Sequence, residues 1–204
     1  MAINPNALTT LVNAKSHLSI KPDDNTMNTR VELFINAASQ RIETYTARKL
    51  VDQGTITELQ HGRSTNLILL KEFPVIAITE LRIDDGTHLF TAAETLVAAT
   101  QYSVGDDRNC LIANTGIFPN GYNNVRVQYR AGYVTVPADL ELACLWFVEW
   151  FYRHRDRADM GRTTSSKGDE SVGILDAAPR MIMEILGDYK RTEMAFTSAP
   201  TRNY

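Results

Sequence analysis

Few residues in this 204-residue chain have the types and spacing that chemistry requires. His154-Arg155-Asp156 has the order that opens a kinase catalytic loop, where the aspartate takes a proton from a hydroxyl. It falls near the end of an aromatic helix, with no later asparagine, glycine-rich loop or DFG to complete it. Asp84, Asp85 and His88 around Gly86 offer two carboxylates and an imidazole. That is one ligand short of a zinc set, and the group reads as a hairpin turn. Asp23-Asp24 and Asp106-Asp107 lack the spacing of a calcium loop and read as a cap and a turn. Cys110 needs a base to become a nucleophile, and its candidate partners His61 and His88 are distant in sequence. Gly161 to Lys167 has the composition of a phosphate loop in the wrong order, after a helix where a strand belongs. There is no GxSxG, no HExxH and no GxGxxG after a strand. The sequence therefore points to no catalytic residue, no cofactor and no metal.

Charge limits the partners. Lys and Arg number 21 against 24 Asp and Glu, a net charge of −3. A nucleic-acid grip over the whole surface is disfavoured, although a local patch is compatible with that balance. Arg126, Gln128 and Arg130 share one strand face, while Arg153, Arg155 and Arg157 crowd a helix end. Both groups read as solvated surface, with salt bridges to acidic residues of a neighbouring subunit as the functional alternative. Neither belongs to a base-reading motif. Cys110 and Cys144 are the only cysteines and read as reduced core thiols of a cytosolic chain. The most apolar run, Leu140 to Tyr152, contains Glu141 and Glu149 and is shorter than the roughly 20 residues of a bilayer span. No membrane partner is expected.

The elements that position these residues fall into three zones. A short helix is expected over Thr9 to Leu18, with Leu8, Leu11 and Val12 on its apolar side. A second follows, capped by Asp24 or by Thr29 with Glu32. Its stripe is Met27, Val31, Phe34, Ile35, Ala38, Ile42 and Tyr45; its outer face is Arg30, Asn36, Ser39, Gln40 and Glu43. The middle of the chain alternates with period two. Strands are expected at Thr55–Leu59, Asn66–Leu70, Val75–Ile83, Gln101–Val104, Cys110–Ala113 and Asn124–Arg130. Asp84-Asp85-Gly86, Gly105-Asp106-Asp107 and Asn120-Gly121 mark turns. With no long helices between strands, the class is α+β: N-terminal helices, a small mainly antiparallel sheet region, and C-terminal helices ending in an extended tail.

The third zone begins at Pro137. Leu140, Ala143, Cys144, Phe147, Val148 and Phe151 form one helical stripe, and Leu142, Leu145, Trp146 and Trp150 cover most of the rest. Such a helix must be buried on nearly every side. The expectation is one side on the sheet and the other, with Trp146, Trp150, Arg153, Arg155 and Arg157, on a neighbouring subunit. Residues 158–173 read as an exposed mobile loop. A last helix is expected from about Asp176 to Lys190, with Ile182, Ile185, Leu186 and Tyr189 on one face. Residues 1–191 thus form one domain, and 192–204 a tail reaching roughly 43 Å if extended.

Several local patterns, in this order, resemble the head–tail connector (adaptor) proteins of long-tailed bacteriophages. Ala37-Ala38-Ser39, Ile42-Glu43 and Tyr45-Thr46-Ala47-Arg48 resemble the first long helix of that family and its exit. Phe73-Pro74-Val75 with Ile78 resembles its proline-led strand. Tyr102-Ser103-Val104, Val127 through Tyr133, Pro137, and Asp139-Leu140 match the end of its sheet and the start of its last long helix. Pro179 and Tyr189-Lys190-Arg191 fit its closing helix. Ala47 departs from the glycine usual there, and the loop at 158–173 and the tail lengthen this chain. The resemblance implies a non-enzymatic ring of twelve copies under the portal vertex of a virion neck, made in the host bacterial cytoplasm. Double-stranded DNA passes through its channel without sequence recognition, and a stopper or tail-completion protein docks on it. It also implies that the C-terminal stretch binds portal, with Tyr189, Lys190, Arg191, Phe196, Arg202 and Tyr204 as candidates. The alternatives are a stopper or tail-terminator ring of the same virion, a small hydrolase, or a DNA-binding accessory protein.

Overall fold

The structure, a computed structural model, describes residues 2–84, 86, 89–90, 95–154 and 180–191. Among these residues four α-helices and six strands follow in order: α1 Leu11–His17, α2 Asn28–Thr46, β1 Thr55–Gly62, β2 Leu67–Leu69, β3 Val75–Ile83, β4 Tyr102–Val104, β5 Cys110–Ala113, β6 Gly121–Ala131, α3 Ala138–His154 and α4 Arg180–Asp188. The α+β class and the three zones stand as the sequence implied. The loop over 158–173, the first turn assigned to the last helix, and the tail after 191 lie outside the described residues.

The strands make two three-stranded antiparallel sheets, ordered β1-β6-β3 and β2-β5-β4. Strand β6 is central because its alternate residues Val125, Val127 and Tyr129 are all fully buried. Leu81, Leu111 and Phe118 complete that core. The helices have a separate core, in which Val31, Ile35, Ala38 and Ile42 of α2 meet Leu140, Ala143, Cys144, Phe147 and Val148 of α3, with Ile182 and Leu186 of α4.

Four expectations are corrected. Helix α3 does not lay its stripe on the sheet: it packs on α2, α1 and α4. Val12 is 73% exposed, because α1 turns Ala14 and Lys15 inward and Leu8 is buried ahead of the helix. The start of α2 has no side-chain cap: its N-cap is Met27, and Asp24 instead closes a turn by accepting from the Thr26 amide at 3.0 Å. Ser39 and Glu43, assigned to the outer face, are buried. Ser39 accepts from the Leu8 amide at 3.1 Å and Glu43 pairs with Lys49 at 2.7 Å, so polar contacts rather than periodicity draw them in.

Helix α2 ends at Ala47, with φ 56° and ψ 32°, the left-handed C-cap usually given to glycine. A Cβ there costs about 1 kcal/mol. Because Ala47 is exposed, Ala47→Gly removes that strain at little contact cost, offset by the freer unfolded chain. A net gain of about 0.5 kcal/mol is expected, read as a higher urea midpoint at constant slope. A lower midpoint would show that the methyl group is needed.

Candidate functional site

Several of the patterns that carried the resemblance converge on one junction between the helices and the first sheet. The left-handed turn at Ala47 sends Arg48 inward, where it is 4% exposed. Its Nε donates to the Tyr189 carbonyl at 2.7 Å and its Nη1 to the Phe73 carbonyl at 2.5 Å. The guanidinium lies 3.7 Å from the Phe73 ring centre and 5.8 Å from that of Tyr133. Burial lowers its pKa, and the surrounding tyrosines and Glu72 oppose that shift. Arg48 thus joins three distant stretches through one side chain.

Main-chain bonds complete the junction. The Phe73–Pro74 peptide is cis, and the Pro74 carbonyl accepts from the Gly132 amide at 3.0 Å. The Tyr133 amide donates to the Leu50 carbonyl at 2.7 Å, and its own carbonyl accepts from the Asp52 amide at 3.2 Å. Lys49 donates its amide to Glu72, whose carboxyl is raised by burial. Tyr129, raised by burial and by its bond to Glu58 at 2.5 Å, accepts from the Glu72 amide at 3.2 Å. Tyr189 donates its hydroxyl to Asp139 at 2.6 Å and meets Tyr133 edge-on. The Arg191 amide closes on the Thr46 carbonyl at 2.9 Å. The junction therefore fixes the point from which residues 192–204 depart.

The remaining candidate residues are scattered. Trp146 and Trp150 are half-buried on α3, near Leu142, which is 37% exposed. Trp150 packs on Phe151 and His154. Arg153 is 73% exposed and pairs with Glu149 one turn back. Burial raises Glu149, but its bonds to His17 and Arg153 outweigh that and hold it low. Lys190 sets its ammonium 5.5 Å from the centre of the Tyr45 ring. Arg155, Arg157, Phe196, Arg202 and Tyr204 lie outside the described residues, as do Asp85 and His88.

The strand arginines, read as solvated surface with a partner's acids as the alternative, find their acids within the chain. Arg126 and Arg82 share Glu80 at 2.9 and 2.8 Å, and together they depress its pKa. Arg130 bonds Asp52 at 2.7 Å and lowers that carboxyl.

Of the catalytic candidates within the described residues, His61 and Cys110 each have other neighbours. His61 Nδ1 accepts from the Asn123 amide at 2.9 Å and its ring stacks on Tyr122. Cys110 packs against Gly105, where an added Cβ would come within 2.5 Å of its sulfur. Both cysteines are buried and unpaired, and burial raises both thiols, Cys144 to about 12. Among the described residues, no three His, Cys, Asp or Glu side chains gather as a metal set, and no helix is long and apolar enough to cross a membrane. The buried role of Arg48 was missed by sequence reasoning. An arginine just past a helix is ordinarily solvated, and only the order of the surrounding motifs hinted otherwise.

Comparison with known proteins agrees with that order. A family model described as head completion protein matches residues 7–192. The chain belongs to that family. As a head completion protein it is a member of the head–tail connector class that the motifs resembled. Solved structures share its fold. In the neck of an empty gene transfer agent (GTA) particle computed with C6 symmetry, one chain is 20% identical, with a TM-score of 0.62; the match covers 95% of this chain and 94% of that one. In the neck of a native GTA particle computed with C12 symmetry, one chain is 18% identical, with a TM-score of 0.59 and 95% and 97% coverage. A virion chain of a native gene transfer agent particle gives 0.61 at 20% identity, covering 95% and 94%. No curated protein matches at a significant level.

Proposed function

We propose that this head completion protein is a non-enzymatic structural component of the neck between head and tail. In that reading it forms a closed ring of twelve copies under the portal, extends the DNA channel and receives the next neck protein. The observation that carries the reading is the family match over residues 7–192. The likeness to chains from particle necks supports it.

Physical features agree with a ring. A closed ring needs one surface to meet a different surface on the next copy. Helix α3 spends its stripe on α2, α1 and α4, yet Leu145, Trp146 and Trp150 stay only half-buried. Aromatic side chains of this kind are enriched where subunits meet. Net negative charge suits a channel that lets DNA slide, since a basic lumen would bind phosphates through counterion release.

The test is native mass spectrometry and electron microscopy of assembled particles, where a closed ring on the portal is expected. A copy located only along the tail would overturn the reading. Deleting residues 192–204, which start just after the Arg191–Thr46 bond, should weaken attachment to isolated portal at least about tenfold while the subunit stays folded. Unchanged attachment would reject the tail as the anchor.

A further inference from the structure

A cavity of about 520 Å³ opens between the second sheet and the end of α4. Its volume lies within the range of about 300–1,000 Å³ that holds drug-sized ligands, comparable to a few residues of chain. Leu67 and Leu69 of β2, both half-buried, and Phe73 give part of the lining an apolar surface, among the polar side chains of Gln60, His61 and Asn109. The same lining carries Arg63, Lys71, Lys190 and Arg191 with Asp188, and Arg191 also acts on the nearby Glu72 carboxyl. Lys190 directs its ammonium to Tyr45, whereas Lys71 is exposed at the rim. In a chain of net charge −3, this concentration of positive charge selects an anion.

The leucines beside the cations decide which kind of anion. A duplex presents phosphates and sugars and has nothing to lay on leucines in a narrow cleft. An extended acidic polypeptide presents carboxylates on one side and apolar side chains on the other, a consequence of the two-residue strand period. Strand β2 is an edge of its sheet, and β5 bonds to Asn66 and Leu70, so the carbonyls of Leu67 and Leu69 face outward. Thr65 Oγ1 donates to the Leu67 carbonyl at 2.9 Å and Gln60 Nε2 to the Leu69 carbonyl at 3.0 Å. With those acceptors taken, a continued ladder has only the Leu67 and Leu69 amides to use, and side chains carry most of the hold on an arriving segment.

We propose that this groove docks an extended acidic segment of a partner protein. Its carboxylates meet Lys71 and Arg191, and its apolar side chains rest on Leu67 and Leu69. The inference rests on the reading of this chain as a neck protein that receives another. The test uses a probe that needs no assembled particle, so the two can fail separately.

The probe is a fluorescently labelled octapeptide of alternating Glu and Val, added to the full chain and followed by anisotropy, with an all-Glu octapeptide and a short DNA duplex as comparisons. The alternating peptide should bind at least about tenfold more tightly than either. The double substitution Lys71→Glu with Arg191→Glu should weaken it at least tenfold, with Lys71→Gln and Arg191→Gln intermediate and circular dichroism unchanged. Equal binding of the all-Glu peptide overturns the role of Leu67 and Leu69, and with it the proposal. Tighter DNA binding lost in the charge variant replaces the peptide with nucleic acid. Peptide binding that ignores the substitutions places it elsewhere and also overturns the proposal. A bound peptide with no ring in particles would overturn the neck reading alone.

Discussion

Gly132→Ala is expected to destabilise the protein by about 3–5 kcal/mol, a large loss for the addition of one methyl group. Two costs act together. Gly132 has φ +106°, a backbone conformation that an L side chain adopts at a cost of about 1–3 kcal/mol. An added Cβ would also lie 2.8 Å from the Val51 carbonyl carbon, 2.8 Å from the Asp52 nitrogen and 2.9 Å from the Val51 oxygen. These are main-chain atoms, and the segment that owns them is tied down by the Tyr133–Leu50 and Asp52–Tyr133 bonds, so it cannot swing aside. The opposing effect, a stiffer unfolded chain, is worth only about 0.4–1 kcal/mol. Gly54 is the internal control: φ is +83° there, with nothing within 4 Å of the added atom. Gly54→Ala should therefore show the backbone cost alone, about 1–3 kcal/mol, and urea unfolding of both variants isolates the clash. Equal losses at the two positions would mean that the crossing of the 50–52 and 131–133 segments is loose.

Much of this fold was legible because burial follows period. Strands β3 and β5 begin and end where alternation predicted, and the α3 stripe from Leu140 to Val148 is the buried one. What alternation cannot report is which polar group waits across the gap. Ser39 and Glu43 look like outer-face residues until Leu8 and Lys49 arrive to satisfy them. Arg126 and Arg130 look free on their strand until the register brings Glu80 and Asp52 within reach. The candidate site was legible in the same partial way. Each of its motifs was visible, but Arg48 and Tyr189 are 141 positions apart and no local pattern joins them. The groove is harder still, since Lys71 and Arg191 line one cavity only after α4 has docked.

Arg48→Met is the companion test of that junction, with an expected loss of about 3 kcal/mol. Replacing a buried ion pair by apolar residues is often neutral, because both charges leave together. Arg48 is a different case. Its hydrogen-bond partners are the main-chain carbonyls of Tyr189 and Phe73, which no substitution at position 48 removes. A methionine would recover part of the packing on Phe73 but would leave both acceptors with nothing to accept, at about 1–3 kcal/mol each where they stay dry. For a chain of this length, that corresponds to a fall in Tm of roughly 6–12 °C. Arg48→Lys keeps the charge but not the fork that reaches two carbonyls at once, so an intermediate loss of about 1–2 kcal/mol is expected. The loss should also be local. Tyr189 ends the segment that α4 contributes to the helical core, so amide exchange at Ile182 to Leu186 should accelerate before that of β6. A small, uniform loss under about 1 kcal/mol would show that the closing helix is held by its apolar face alone, and that Arg48 does not set the point from which the C-terminal segment departs.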